Sequence, residues 1–505
     1  MERTEGGLTR QTITGFLWAS GGKAGQAILQ LVILGIMARL LTPSDFGVVS
    51  AALVVIGLSQ IFSMLGLGPA LIQRPVIEAR HLDTAFTASF LFGLVLGALI
   101  WLGAPLAAQV MRIEKLGPVL RVLAWMFPLQ GIGVAADSLL RRELHFRWLA
   151  RLDVATYAFG YGLVGIGLAL AGAGVWALVA ANICQQVLRT VVLLIRRPPS
   201  VRHPFDRGAF GDLIYFGGGH TIARVANYCA VQGDNFVVGR FLGSQALGYY
   251  GRAYSLMAAP AYGFGTILDQ VLFPAMAKVQ DQPERLAAAF RRGVALIALV
   301  TLAPSVALIL LAPEFITLLL GPHWAPAVAP FQILTIGMLF RTSYKMSDSL
   351  ARSTGVVYQR ATRQILYAAL VIFGAWVGQH WGISGVAWGA MIALSINFFV
   401  MAQLSLRVAQ ISWLTLWRAH IPAVLLTLAS FPVVLGVATL LRSTNLGPVV
   451  VLGGTAATGV IAALFLCLRA PDLFLGPDGR WVLAKLRGFL PAAYRRQAAR
   501  VGATP

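Results

Sequence analysis

Apolar residues run along this chain in long blocks, broken by short stretches that are polar or carry proline and glycine. A helix that crosses a membrane needs about 20 mostly apolar residues. Fourteen blocks qualify: 12–38, 46–68, 84–110, 118–138, 152–171, 174–195, 212–239, 247–275, 289–312, 326–350, 362–381, 384–406, 419–441 and 446–468. Open sheets cannot sit in lipid with unpaired backbone groups, so each block is expected to be helical. The connections stay under about 20 residues, too short for a soluble catalytic domain. The expected fold class is an all-α polytopic membrane protein with fourteen transmembrane helices.

Composition agrees. Hydrophobic residues make up 58% of the 505 and charged residues only 12%, against about 25% charged in soluble chains. Cys184, Cys229 and Cys467 lie in apolar segments with no CxxC pair and no Cys/His cluster. Neither a disulfide framework nor a metal site is suggested. The start, MERTEGGLTRQ, is polar and leads into a long apolar stretch without a short core and cleavage site. It reads as an uncleaved cytoplasmic end.

The net charge of +21 would suggest nucleic acid in a soluble protein. Its distribution gives another reason. With the N-terminus, the even-numbered loops (counted to include Arg291, Arg292 and Arg363 in the first turn of the helix that follows) and the C-terminus taken as one side, 28 Lys and Arg fall there and 5 fall opposite. The other seven (Lys23, Arg121, Arg189, Arg224, Arg252, Arg341 and Lys345) lie within helices or at their ends. Such asymmetry marks the cytoplasmic side and places both termini there. No nucleic-acid partner is needed to explain the basicity.

The chain also echoes itself. Ala38-Arg39-Leu40-Leu41 and Phe46-Gly47-Val48-Val49 return as Gly239-Arg240-Phe241-Leu242 and Leu247-Gly248-Tyr249-Tyr250, 201 residues later. Asp137-Ser138-Leu139 and Arg141 return as Asp348-Ser349-Leu350 and Arg352 at an offset of 211. These echoes place the first block on the seventh and the fourth on the tenth. Two parallel six-helix lobes flanking a central cavity follow, with two further helices appended. The expected divisions are a cytoplasmic N-terminus (1–11), an N-lobe (12–195), an inter-lobe loop (196–211), a C-lobe (212–406), helices 13 and 14 (407–468) and a basic tail (469–505).

The strings RLLTPSDFG (39–47) and LGLGPALIQRP (65–75) resemble the polysaccharide-exporting branch of the multidrug/oligosaccharidyl-lipid/polysaccharide flippase superfamily. GDNFVVGRFLGSQALGYYGRAYSLM (233–257) and VLFPAMAKVQ (271–280) are similar to that branch's second-half motifs. The likeness, to Wzx-type and colanic-acid-exporter-like proteins, runs to about residue 410. It implies a two-lobed flippase of the bacterial inner membrane that moves undecaprenyl-diphosphate-linked oligosaccharide repeats. Membrane lipids and a polysaccharide polymerase are the partners it brings with it.

Charges inside the apolar blocks give this expectation its chemistry, because a charge at mid-bilayer costs several kcal/mol unless it meets water or a partner. His220, Arg224, Asn227 and Asp234 fall within roughly 80° of arc on the seventh helix. Arg341, Lys345 and Asp348 on the tenth, and Lys23, Gln26 and Gln30 on the first, each fall within roughly 60°. The 201-residue offset maps Lys23 onto Arg224 and Gln26 onto Asn227. Basic side chains suit a diphosphate that must shed its hydration. Lys23, Gln26, Arg224, Asn227, Arg341 and Lys345 are therefore expected to line the cavity and bind substrate. Asp234, Asp269 and Asp348 are candidates for ion coupling. The opposing possibility is internal pairing, Arg224 or Lys345 with Asp234 or Asp348.

Other features fit a carrier. Gly97 and Gly217-Gly218-Gly219 suggest close helix packing and bending, and Pro260 and Pro304 suggest kinks. Trp18, Trp101, Trp324 and Trp381 read as interfacial anchors, and residues 480–500 as an amphipathic helix on the inner leaflet. No catalytic arrangement, nucleotide-binding loop or cofactor motif emerges, so an enzyme is not expected. The alternatives are a lipid II or other lipid-diphosphate flippase, then a drug/cation antiporter of the same superfamily, then a polytopic transferase.

Overall fold

The computed structural model describes residues 25–63, 67–74, 76–199, 205–211, 221–444 and 446–481. Every regular element among them is helical. The chain divides into two compact units: the described residues up to Gly251 together with Leu319–Trp324, and Arg252–Leu318 together with those from Ala325 on. The division lies downstream of the inter-lobe loop expected at 196–211.

The first unit contains α1 (Gly25–Leu40), α2 (Pro43–Ser63), α3 (Leu67–Gln73), α4 (Ala79–Met111), α5 (Leu116–Leu123), α6 (Met126–Arg142) and α7 (Phe146–Tyr157). A π-helical turn over Ala158–Gly165 leads from α7 into α8 (Ile166–Leu170), and α9 (Val175–Arg196) follows. A short turn, α10 (207–211), precedes α11 (Thr221–Ala277). α11 breaks at Gly243, whose φ of 85° and ψ of 179° lie outside the helical region. Glycine tolerates that positive φ because it has no Cβ.

The second unit contains the remainder of α11, then α12 (Pro283–Leu310), α13 (Ala312–Leu320) up to Leu318, α14 (Val328–Ile336), α15 (Met338–Ser353), α16 (Val357–Gly378), α17 (Gly382–Ala409), α18 (Trp413–Ser443), α19 (Pro448–Arg469) and α20 (Pro471–Phe474). Its core gathers Leu286, Phe290 and Val294 of α12 with Met346 and Leu350 of α15, Leu406 of α17 and Leu416 of α18. Among the described residues nine helices are long and apolar enough to cross a membrane. There are ten when the 44° bend between α14 and α15 is counted within one span. Residues 358–409 enter that count once, although the chain doubles back at Gly382 between α16 and α17.

The structure accounts for the RLLTPSDFG block nearly residue by residue. Thr42 caps α2. Its amide and hydroxyl donate to the Asp45 carboxylate at 3.0 and 2.6 Å, and the Asp45 amide donates back to the Thr42 hydroxyl at 3.3 Å. This reciprocal cap satisfies donors that the first helical turn leaves open. Pro43 takes the first helical position, where its missing N–H costs nothing. Gly47 then lets the backbone of α2 touch that of α11: a Cβ there would lie 1.7 Å from the Ser244 carbonyl oxygen. The contact is reciprocal across the repeat. A Cβ on Gly248 would lie 1.8 Å from the Pro43 carbonyl oxygen, and Pro43 and Ser244 are themselves 201 residues apart. The hydroxyls of Ser44 and Ser244 share a hydrogen bond of 2.8 Å beside the crossing.

Trp324 overturns its expectation as an interfacial anchor. It is fully buried, and its indole N–H donates at 2.9 Å to the Ala38 carbonyl in the last turn of α1. The His323 ring bonds the same oxygen at 3.0 Å. Carbonyls at a helix end lack intrahelical partners, and here a returning loop supplies them. Phe46 and Tyr249 pack edge-on against the Trp324 ring at 5.4 and 5.8 Å. Trp101 and Trp381 are exposed, as anchors would be. Trp18, Gly217–Gly219 and all but the first two residues of the 480–500 segment lie outside the described residues.

Candidate functional site

The candidate residues divide between the two units. Lys23 lies outside the described residues. Gln26 is half-buried in the first described turn of α1. Arg224 and Asp269 stand on α11, their side chains outside the described set. Asn227 is exposed on the same helix. Two turns on, Asp234 is buried at 2% exposure. Its carboxylate accepts the Tyr250 hydroxyl at 2.7 Å and the Asn235 amide at 2.8 Å. Asp234 is therefore a buried carboxylate supported by hydroxyl and amide donors.

In the second unit the chemistry gathers on α15. The helix is buried nearly all round, and its small polar residues Thr342, Ser343, Ser347 and Ser349 pack inside with Met346 and Leu350. Arg341 is only 8% exposed, and its guanidinium carbon lies 4.7 Å from the centre of the Tyr254 ring. Such a cation over an aromatic face is held by the ring quadrupole. Lys345, one turn further, donates to the Ala261 carbonyl at 3.4 Å. Both partners belong to α11, so the basic stripe of α15 faces that helix. Residues at this spacing have Cβ atoms about 5–6 Å apart, close enough for both cations to reach one anionic group.

Asp348 is engaged otherwise than by the expected internal pairing. Its partners are Arg352, at 3.1 Å, and Arg360 at the start of α16, and Lys345 is not among them. The repeat equivalent behaves alike: Asp137 of α6 binds Arg141 at 2.6 Å, again four residues on. The Asp-Ser-Leu echo is therefore an ion pair between successive helical turns, present once in each unit. The second arginine differs. Arg189 of α9 bridges Asp137 at 2.8 Å and Asp153 of α7 at 2.9 Å, which ties three helices together. In the sequence Arg189 reads only as a cation within an apolar block; its 36-residue separation from Asp153 gives no local signal.

Comparison with known proteins adds the context. Residues 36–329 match the family described as "Polysaccharide biosynthesis protein". The teichuronic acid biosynthesis protein TuaB of Bacillus subtilis is 25% identical over 468 residues, 92% of this chain and 96% of that protein. The lipopolysaccharide biosynthesis protein WzxC of Escherichia coli is 25% identical over 408 residues, 78% of this chain and 81% of that protein. Among solved structures, the lipid II flippase MurJ in an inward closed conformation superposes with a TM-score of 0.73 at 14% identity. The match covers 90% of this chain and 99% of that one, which shows a shared fold.

Proposed function

Because the chain belongs to the polysaccharide biosynthesis protein family, we propose that it is a flippase for undecaprenyl-diphosphate-linked oligosaccharide repeats in the bacterial inner membrane. It works by alternating access between two six-helix lobes within a fourteen-helix frame, both termini cytoplasmic. It is a carrier and performs no covalent step on its cargo. A polysaccharide polymerase then consumes the delivered repeat.

The observation that carries this reading is Arg341, a guanidinium only 8% exposed on an intramembrane helix, one turn from Lys345. Ionisable residues at such depth are expensive and mark transport pathways. Arg341 and Lys345 of one lobe, with Lys23, Gln26, Arg224 and Asn227, take the diphosphate in place of its water. Asp234, Asp269 and Asp348 are proposed for ion coupling. Of these, Asp234 is buried and accepts hydrogen bonds from the Tyr250 hydroxyl and the Asn235 amide.

The test is export in the native host with membrane expression verified. Arg341→Ala and Lys345→Ala are each expected to lower polymer yield at least tenfold and to pile up lipid-linked repeats on the cytoplasmic face, since each removes a charge-assisted contact. Normal yield from both variants overturns the assignment.

A further inference from the structure

A groove on the first unit sets an apolar trough beside a cation. α4 lines one wall with Leu94, Gly97, Ala98 and Trp101, one stripe at helical spacing. Trp125 and Pro128, at the break between α5 and α6, line the other, and the space between measures about 340 Å³. Gly97 brings the walls together: a Cβ there would lie 3.0 Å from the Ala124 carbonyl oxygen. The small side chains at 97 and 98 leave the trough open. It opens outward, with Trp101 46% and Trp125 61% exposed.

Arg121 stands at the mouth. It is exposed in the last turn of α5, its guanidinium carbon 5.0 Å from the centre of the Trp101 ring. Among the described residues no carboxylate pairs with it. The depth can be worked out. α4 has 33 residues, about 50 Å at 1.5 Å per residue, against a hydrocarbon core of about 30 Å. With the overhang shared between its ends, Trp101, ten residues before Met111, lies roughly 5 Å inside the core boundary. Arg121 reaches the phosphate level from there, as arginines near an interface do. The trough continues inward to Leu94, seven residues or about 10 Å deeper.

We propose that this groove holds one acyl chain of an anionic phospholipid, in the leaflet bordering residues 112–115, with the lipid phosphate on Arg121. A guanidinium beside an apolar slot selects for net negative charge at the head and leaves the chain interchangeable. The inference rests on α4 to α6 lying in a bilayer and is independent of the cargo.

Purified protein in nanodiscs is photolabelled with phosphatidylglycerol carrying a diazirine in its acyl chain, and a phosphatidylcholine probe of the same chain is run in parallel. Phosphatidylglycerol adducts are expected on peptides covering Leu94–Leu102 or Ala124–Pro128, about tenfold above phosphatidylcholine. Arg121→Gln abolishes that preference, and Arg121→Lys keeps most of it. Leu94→Trp fills the trough and removes both adducts. Equal labelling of wild-type protein by the two probes, or adducts that map elsewhere, overturns the proposal without recourse to any variant.

Discussion

Two of the glycine contacts that bring helices together backbone on backbone are built on different logic. The first is the crossing of α2 with α11, at Gly47 and Gly248, residues 201 apart and related by the internal repeat. The second is the hairpin of α16 and α17, where Gly374 meets Gly389 and Gly378 meets Gly385. There a Cβ on Gly385 would lie 2.1 Å from the Gly378 carbonyl oxygen, and one on Gly389 2.2 Å from that of Gly374. The hairpin glycines sit four apart on each helix, the small-xxx-small spacing that lets membrane helices approach. A local hairpin can splay a little when crowded, because a turn of a few residues joins its arms. The crossing has no such freedom: it meshes two copies of one motif and is flanked by the Thr42–Asp45 cap and the buried Trp324.

The largest effect is therefore expected at the crossing. Ser44 and Ser244 stand with hydroxyls 2.8 Å apart, near the separation that cysteine side chains need for a disulfide. A Ser44→Cys, Ser244→Cys protein should cross-link under oxidation and lose export, then regain it on reduction. Export that continues with the cross-link intact would show that the crossing is a fixed pivot and not a gate. Gly248→Ala gives the steric counterpart. It should cost about 3 kcal/mol or more, the upper range for overpacking against rigid backbone, read as a fall in Tm of the purified protein.

The same substitution in the hairpin sharpens the contrast. Gly385→Ala should cost about 1–2 kcal/mol, because the arms can separate locally, and export should persist. An equal loss of Tm at both sites would remove the distinction between a motif-to-motif crossing and a local turn.

How legible each contact is in sequence follows from the same difference. The RLLTP–DFG block stands out because its echo recurs at one offset. The purpose of its Gly47 does not, since only the fold shows that Ser244 passes over it. The apolar blocks announce helices by length and composition, which depend on lipid alone. Trp324 reads as an anchor because tryptophan favours interfaces, yet a helix end at Ala38 needed a buried donor. Asp348 reads as an intramembrane acid available to Lys345. Its partner four residues on, Arg352, was visible in the Asp-Ser-Leu echo, whereas Arg360 depends on where α16 begins. Arg341 and Lys345 share a face by simple periodicity, but that the face meets Tyr254 and Ala261 is a matter of tertiary packing.

A tie made by charge supplies the control for contacts made by shape. Arg442, at the end of α18, grips Glu314 of α13 with bonds of 2.7 and 2.9 Å. Burial raises the Glu314 carboxyl, but the hydrogen bonds and charge of Arg442 outweigh it and hold the group below the usual carboxylate range. A depressed carboxyl stabilises the fold above its unfolded value, about 4.3, and loses that contribution as pH falls through the folded value. Thermal unfolding of wild type and Glu314→Gln should therefore differ by about 1 kcal/mol near neutrality and converge below about pH 4. The penalties of Gly248→Ala and Gly385→Ala, being steric, should stay constant over the same range. A Gly248→Ala penalty that tracked pH would mean that the crossing is held by titrating groups rather than by the close approach of two backbones.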